Sequence, residues 1–407
     1  MNILMLAPEF FPITGGVGTY IIELIKNMPE DVRIYVLTPE RPGSNIFFSS
    51  NIPPIKHESS LNRININYIG KANDNFFNNF IFQVNCLKTI PSMIKRYDID
   101  LIHSQSAMPD LFLSPRLIGV PIITTIHTTI RDEISSIKSS GAYFSDLSKS
   151  EKTMVLLSPF LKPLEKIYYG SNRHYITVSN WMKTHVQEDF KNINPKDIKV
   201  IYNGVNSIIF NPINKKFSDM HFPELSDIDT PKVLFLSRWV ERKGIKYLLD
   251  AIPKICEKFD VHFIFAGSNL NRKLKISSKN CSFLGYIPQE KLPYLYTSCD
   301  IFILPSLYEN FPICLLEAMS SGLAVISTNV GGIPEMITHG ENGIIIKPKI
   351  TKDIIESIEH LIENNELRRK LGENARKTVI NKFSWTRIAL ETKECYMRVL
   401  ENENINC

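Results

Sequence analysis

The chain has 407 residues, 43% of them apolar and 22% charged, which suits a globular protein too long for one ordinary core, so two or three domains are expected. The formal charge of +5 divides as 21 basic against 18 acidic residues over 1–200 and 26 against 24 over 201–407; this lacks the one-sided basic asymmetry of a nucleic-acid binder. Seven scattered cysteines without a Cys-x-x-Cys pair argue against a disulfide framework or a zinc site and fit a reducing compartment. The opening run Met1 to Pro8 is too short for a signal peptide, and no apolar run reaches the length of a membrane span. The expected location is the cytoplasm, with contact at the cytoplasmic face of the membrane left open.

In chain order, β-rich runs fall at 3–6, 32–38, 64–69, 101–103, 122–126, 175–178 and 199–201, with helical stretches at 19–28 and 76–96. Several runs are continuously apolar, as in strands covered on both faces. The pattern restarts with runs at 233–237, 261–266, 283–284, 301–304, 324–327 and 344–346. Helical stretches at 245–258, 289–297, 313–320, 352–363 and 366–380 lie between and after them. Such alternation predicts an α/β fold of two doubly wound parallel-sheet domains, 1–210 and 211–384. The polar, Pro-containing stretch 211–231 is the expected linker, and 385–407 holds a final helix free to dock on either domain. Ligands of open parallel sheets sit at the carboxyl ends of the strands, so polar residues just after strands are the ones to weigh.

After the first strand comes Pro12-Ile-Thr-Gly15-Gly16-Val-Gly18-Thr19, then a helix. Glycines there let the backbone approach an anion at a helix N-terminus, although a plain tight turn explains them too. Counting from Gly16 gives Gly-x-Gly-x-x-Ile21, which lacks the third glycine of the dinucleotide fingerprint and speaks against a nicotinamide enzyme. His127 follows another strand, and His103 is a weaker candidate of the same kind; both also read as structural histidines. At the head of the second series, Arg238 and Lys243 follow a buried strand and precede a helix, a fork and a point charge suited to a pyrophosphate. Arg242 beside them reads as part of a solvated loop.

The run Ser306-Leu-Tyr-Glu309-Asn-Phe-Pro-Ile-Cys-Leu-Leu-Glu317 joins a helix start to two carboxylates. Pro312 suits the first helical position, so amides from Ile313 onward can meet a phosphate oxygen while Glu309 and Glu317 grip hydroxyls. A capped surface helix with two solvated acids is the alternative. The triplets Asp98-Ile-Asp100 and Asp227-Ile-Asp229 do not read as metal ligands, and no His/Cys/Asp cluster resembles a metal site. The aromatic segment 76–82, followed by Lys88, Lys95 and Arg96, reads as a buried helix, with a membrane surface as the alternative.

Taken together and in this order, these motifs resemble the family-4 retaining glycosyltransferases of GT-B type, and the resemblance runs over nearly the whole chain. It is carried by Gly15, Gly16 and Gly18, by His127, by Asn203-Gly204-Val205, by Arg238 and Lys243, by the Glu-x7-Glu signature at Glu309 and Glu317, and by Gly331-Gly332-Ile-Pro-Glu335. It implies two Rossmann-like domains facing a cleft, the acceptor mainly on the first and the nucleotide-sugar mainly on the second, with the last helix crossing back to the first. Arg238 and Lys243 would hold the diphosphate, Glu317 the ribose, and Glu309 the donor sugar, with His127 beside the transferred group. Nucleotide-sugar contacts would also come from the glycine loop, from Asn203 and Gly204, and from Phe311, Pro312, Ile313 and Cys314.

The implied reaction is metal-independent transfer of a hexosyl group from a UDP- or GDP-sugar to a hydroxyl of a glycan or lipid-linked acceptor, without a cofactor. A sugar-nucleotide epimerase of the same fold and a non-catalytic nucleotide-sugar binder are the alternatives. Two departures stand out: Asn310-Phe311-Pro312 replaces the Gly-Phe-Gly found in many members, and Asn206 stands where Asp is common. Asn310 is expected to keep the turn through left-handed backbone geometry. The Ser- and Lys-rich segment 134–163 is expected to shape the acceptor side.

Overall fold

The computed structural model describes residues 1–10, 15–41, 63–71, 76–106, 110–111, 113–139, 144, 147, 149–169, 173–213, 215–268 and 278–405. Pro12, Ile13 and Thr14 of the glycine loop lie outside them, as does part of the 134–163 segment. The chain divides into two compact units, one of Met1–Ser135, Tyr143–Tyr202 and Trp385–Cys407, the other of Ser136–Ala142 and Asn203–Ser384.

The first unit is built on seven parallel strands: β1 (Asn2–Leu6), β2 (Arg33–Glu40), β3 (Ile64–Lys71), β4 (Leu101–Ser104), β5 (Ile122–Ile126), β6 (His174–Thr177) and β7 (Ile198–Val200). Their order is β3-β2-β1-β4-β5-β6-β7, so the winding reverses between β1 and β4. Leu4, Leu6, Ile102 and Ile122 meet Phe82, Cys86, Ile90 and Met93 of the helix Phe76–Tyr97. Tyr20 of the helix Gly16–Asn27 packs edge-on against Trp385 at the start of the last helix, Trp385–Ile405.

The second unit has six parallel strands: β8 (Lys232–Leu236), β9 (His262–Ala266), β10 (Cys281–Gly285), β11 (Ile301–Leu304), β12 (Ala324–Thr328) and β13 (Ile344–Ile346). Their order is β10-β9-β8-β11-β12-β13, reversing between β8 and β11. Phe302 lies in register with Leu234 on one side and Val325 on the other. Helices Ile245–Cys256 and Thr351–Glu363 close one face through Leu248, Ile252, Ile354 and Ile358. Helix Asn365–Lys382 packs on β12 and on the helix Ile313–Ser320. Burial on both faces is why a central strand such as β11 is apolar without alternation, whereas the edge strand β10 is partly exposed.

Two sequence expectations need correction here. The first unit ends at Tyr202 rather than at residue 210, because 203–211 is stitched into the second unit. Val205 donates to Phe383 O (2.8 Å), and Phe210 O accepts from Ser320 Oγ (2.6 Å) and Arg376 Nη1 (3.1 Å). The stretch 211–231 is not a free linker either: it forms the short helices Lys215–His221 and Pro223–Ser226, with Phe222 and Leu225 buried.

Candidate active site

In the second unit the two loops at the reversal point, after β8 and after β11, carry the charged candidates. The β8 loop is pinned from below: Trp239 is buried, its ring 5.3 Å from that of Phe265, and its amide donates to Ser268 O (3.1 Å). A single 3-10 turn, Glu241–Lys243, then hands the chain to the helix Ile245–Cys256. Gly244 lets this turn lie on the β11 loop, since a side chain there would strike Pro305 O.

The outcome is a buried ion pair. Lys243 Nζ contacts Glu309 Oε1, and the same oxygen accepts from Ser306 Oγ at 2.8 Å. Burial alone would raise the Glu309 carboxyl, but Lys243, Arg242 and the hydrogen bonds from Lys243 and Ser306 outweigh it and hold it below the usual carboxylate range. Burial draws the Lys243 ammonium down from its usual value against the pull of Glu309. Arg242, read from sequence as a solvated side chain, acts by its charge on both partners and belongs to the site. Arg238 differs from Lys243: it is exposed, and its guanidinium has no partner among the described residues.

The β11 loop is clamped from the β12 side. Thr328 Oγ1 donates to Ser306 O (2.5 Å), Ser327 Oγ to Leu304 O (2.8 Å), and Gly332 N to Asn310 O (2.9 Å). Asn310 does not take left-handed backbone geometry; it is buried and its Oδ1 accepts from Tyr308 Oη at 2.8 Å, so the turn is held by side-chain contact instead.

Pro312 is also placed differently from expectation: it is the capping residue with extended backbone, and the helix Ile313–Ser320 starts after it. Leu315 N and Leu316 N donate back to Pro312 O, so the amides of Ile313 and Cys314 lie ahead of the first intrahelical bond. Phe311 is held by Asn203, whose Nδ2 donates to its carbonyl at 2.6 Å, and by Phe383, ring to ring at 5.4 Å. Gly204 lies buried beside Asn203. Glu317 is buried, and the single proton of Tyr296 Oη lies between its carboxylate (2.9 Å) and Cys314 O (3.1 Å). Sequence reasoning missed Tyr296 and Ser306, because both act through contacts distant along the chain or hidden in a loop. Burial pushes the Cys314 thiol up to about 12.

In the first unit the helix begins at Gly16, three residues before the expected start, so Gly16 and Gly18 stand in its first turn and Gly15 caps it. Gly15 N donates to Glu9 Oε1. His127, after β5, lies 3.2 Å from Gln105 Oε1, and its ring meets Tyr20 edge-on at 4.7 Å. Burial pulls its imidazole down to about 3, so it is neutral at ordinary pH. His103 is structural: its ring nitrogens reach Tyr396 Oη (2.6 Å) and Thr125 Oγ1 (2.7 Å), and it is fully buried. Asp100 likewise accepts from Asn2 N at 2.7 Å, at the start of β1.

Residues 216–378 match the family described as Glycosyl transferases group 1, and residues 14–207 match Glycosyltransferase Family 4. An uncharacterized glycosyltransferase of Methanocaldococcus jannaschii is 33% identical over 323 residues, 76% of this chain and 77% of that one. The chain belongs to glycosyltransferase family 4. This glycosyltransferase is also 25% identical to N-acetyl-alpha-D-glucosaminyl L-malate synthase of Bacillus anthracis, over 97% of this chain and 96% of the relative. Its fold is GT-B. Sucrose-phosphate synthase of Thermosynechococcus elongatus superposes with a TM-score of 0.76 at 18% identity, covering 98% of this chain and 99% of that one. Anabaena HepE in complex with UDP-glucose gives 0.72 at 18%, covering 98% and 100%. Among the described residues no helix is long and apolar enough to cross a membrane.

Proposed function

We propose that this glycosyltransferase moves a hexosyl group from a nucleoside diphosphate sugar to an acceptor hydroxyl, with retention of configuration and without a metal. The observation that carries the reading is the buried Lys243–Glu309 pair at the reversal point of the second sheet, in a loop that leads directly into the helix starting at Ile313. As the bond from the sugar carbon to the phosphate oxygen breaks, negative charge grows on the leaving diphosphate. Arg238, Lys243 and the amides of Ile313 and Cys314 supply positive charge and donors for it. Glu309, tied down through one oxygen, keeps the other for a sugar hydroxyl, and Glu317 takes the ribose.

No side chain in the set is a strong base at neutral pH, and His127 is neutral with Gln105 beside it. The acceptor proton therefore passes to the leaving phosphate oxygen while the new bond forms on the same face of the sugar. A uridine donor is favoured by the UDP-glucose complex of the Anabaena neighbour. The acceptor is a glycan or a lipid-linked sugar.

Arg238→Ala gives the cleanest test, since this exposed residue has no partner among the described residues to lose. Thermal unfolding is followed with UDP, GDP, ADP and their sugars. One series should raise Tm in the native chain, because a ligand stabilises according to its excess over Kd. The same series should fail with Arg238→Ala. A nucleotide shift that survives the substitution unchanged, or none in the native chain, would overturn the reading. Loss of transfer in chelator, restored by Mn²⁺ or Mg²⁺, would refute metal independence.

A further inference from the structure

The helix Lys149–Tyr169 of the first unit carries a face that the transfer chemistry does not use. Its inner side is anchored: Leu161, Tyr168 and Tyr169 are buried, and buried Glu165 accepts from the amides of Ile130 (2.6 Å) and Arg131 (3.3 Å). Its outer side is apolar. Leu156, Phe160, Leu164 and Ile167 are 66, 72, 38 and 70% exposed, respectively. Steps of four, four and three residues place them on one stripe of the helix. Four large apolar side chains in line on an exposed helix outline a docking surface rather than an ordinary solvated face.

Charge identifies the occupant. Lys152 and Lys166 border the stripe on one side, and Lys166 makes no ion pair among the described residues. Glu165 points inward, and Glu151 falls on the opposite side of the helix by its spacing. The neighbouring helix Phe76–Tyr97 packs against this one, exposes Lys88, Lys95 and Arg96, and has no acidic residue. Three basic residues in one helix, and four basic against two acidic in the other, leave five net positive charges, equal to the +5 of the entire chain. A second copy would bring the same positive charge against itself. An anionic bilayer supplies both an apolar slab and opposite charge.

We propose that this face docks on an anionic lipid surface. The helix lies in the headgroup plane, Leu156, Phe160, Leu164 and Ile167 reach the acyl chains, and the basic side chains of both helices meet the lipid phosphates. The proposal stands apart from the transfer reading, because docking requires neither donor nor acceptor.

The test is flotation of the full chain with phosphatidylcholine vesicles, with and without phosphatidylglycerol, in the absence of sugar nucleotides. Binding should require phosphatidylglycerol and weaken with salt. The variant Leu156→Ser/Phe160→Ser/Ile167→Ser should lose at least about a hundredfold in partitioning, since three large side chains no longer leave water. Lys152→Gln/Lys166→Gln should lose about fivefold per lysine. All five positions are exposed or half-exposed, so unchanged thermal unfolding of both variants separates lost binding from lost fold. Absence of native binding to phosphatidylglycerol vesicles at low salt would overturn the proposal. So would equal binding by the serine variant, or a dimer that the serine substitutions dissolve and vesicles do not displace.

Discussion

The Lys243 ammonium and the Glu309 carboxylate meet in a nearly closed environment, with 11% and 9% of their side-chain surface exposed. Each comes from a different loop at the reversal point of one sheet, so the contact exists only when the sheet is assembled. In the reading proposed above it serves structure and chemistry together, because the cation offered to a diphosphate is also one that keeps a buried acid ionised.

Lys243→Ala is therefore expected to do more than remove a phosphate contact. Breaking a buried pair by deleting one partner leaves an uncompensated charge and costs about 3–5 kcal/mol. Transfer should fall on the order of 10²–10³-fold, as when one donor to a developing anion is lost. Lys243→Met/Glu309→Gln removes both charges and should recover much of the stability with none of the activity. Urea unfolding beside a transfer assay checks this; recovery of both together would show the pair to be structural only.

Acid should weaken the fold through two kinds of group. Glu309 titrates below its usual range when folded, so its contribution is complete above the unfolded value and is lost as pH falls through the folded one. His103 and His127 are drawn down to about 3 by burial. The unfolded chain then binds protons that the folded chain refuses, and each histidine should cost about 1.4 kcal/mol per pH unit between the ordinary imidazole value and the folded one. The imidazole C2 protons of both should not titrate by NMR between pH 8 and 5, and the pH–rate profile should carry no histidine step from His127.

Much of this was readable from the sequence because it is local. Runs such as 3–6 and 301–304 are apolar throughout and buried along their length, and polar residues placed just after strands marked the loops at the reversal points. The helix Lys149–Tyr169 was not legible as one element, since Pro159 and Pro163 interrupt the pattern that tertiary packing nonetheless carries through. Arg242, Tyr296 and the clamp from Thr328 depend on distant segments coming together, and Asn310 found a side-chain partner where backbone freedom had been expected. Counting charge by halves concealed two adjacent helices whose excess equals that of the whole chain.

Tyr296→Phe isolates the support of Glu317. The phenol's single proton lies between the carboxylate (2.9 Å) and Cys314 O (3.1 Å), and a hydrogen bond to a buried charge contributes about 1.5–3 kcal/mol. If Glu317 holds the ribose, this loss affects ground and transition states alike. KM for the donor should rise about tenfold with kcat little changed. A fall in kcat at constant KM would place Glu317 at the reacting bond instead.

Gly331→Ala, set against Gly340→Ala, tests whether Glu309 is held from the backbone side. Both glycines have left-handed backbone, with φ of 55° and 77°, so each alanine carries a penalty on the order of 1–3 kcal/mol. Only at Gly331 would the new carbon strike Glu309 O, whereas nothing lies within 4 Å at Gly340. The shared penalty cancels in the comparison and leaves the collision. Gly331→Ala should lower Tm further and reduce transfer as Glu309 is pushed off Lys243 and Ser306, while Gly340→Ala keeps activity close to native. Equal activity of the two variants would mean that the Gly331-Gly332 turn does not position the acid, and that Ser306 and Lys243 alone hold it in place.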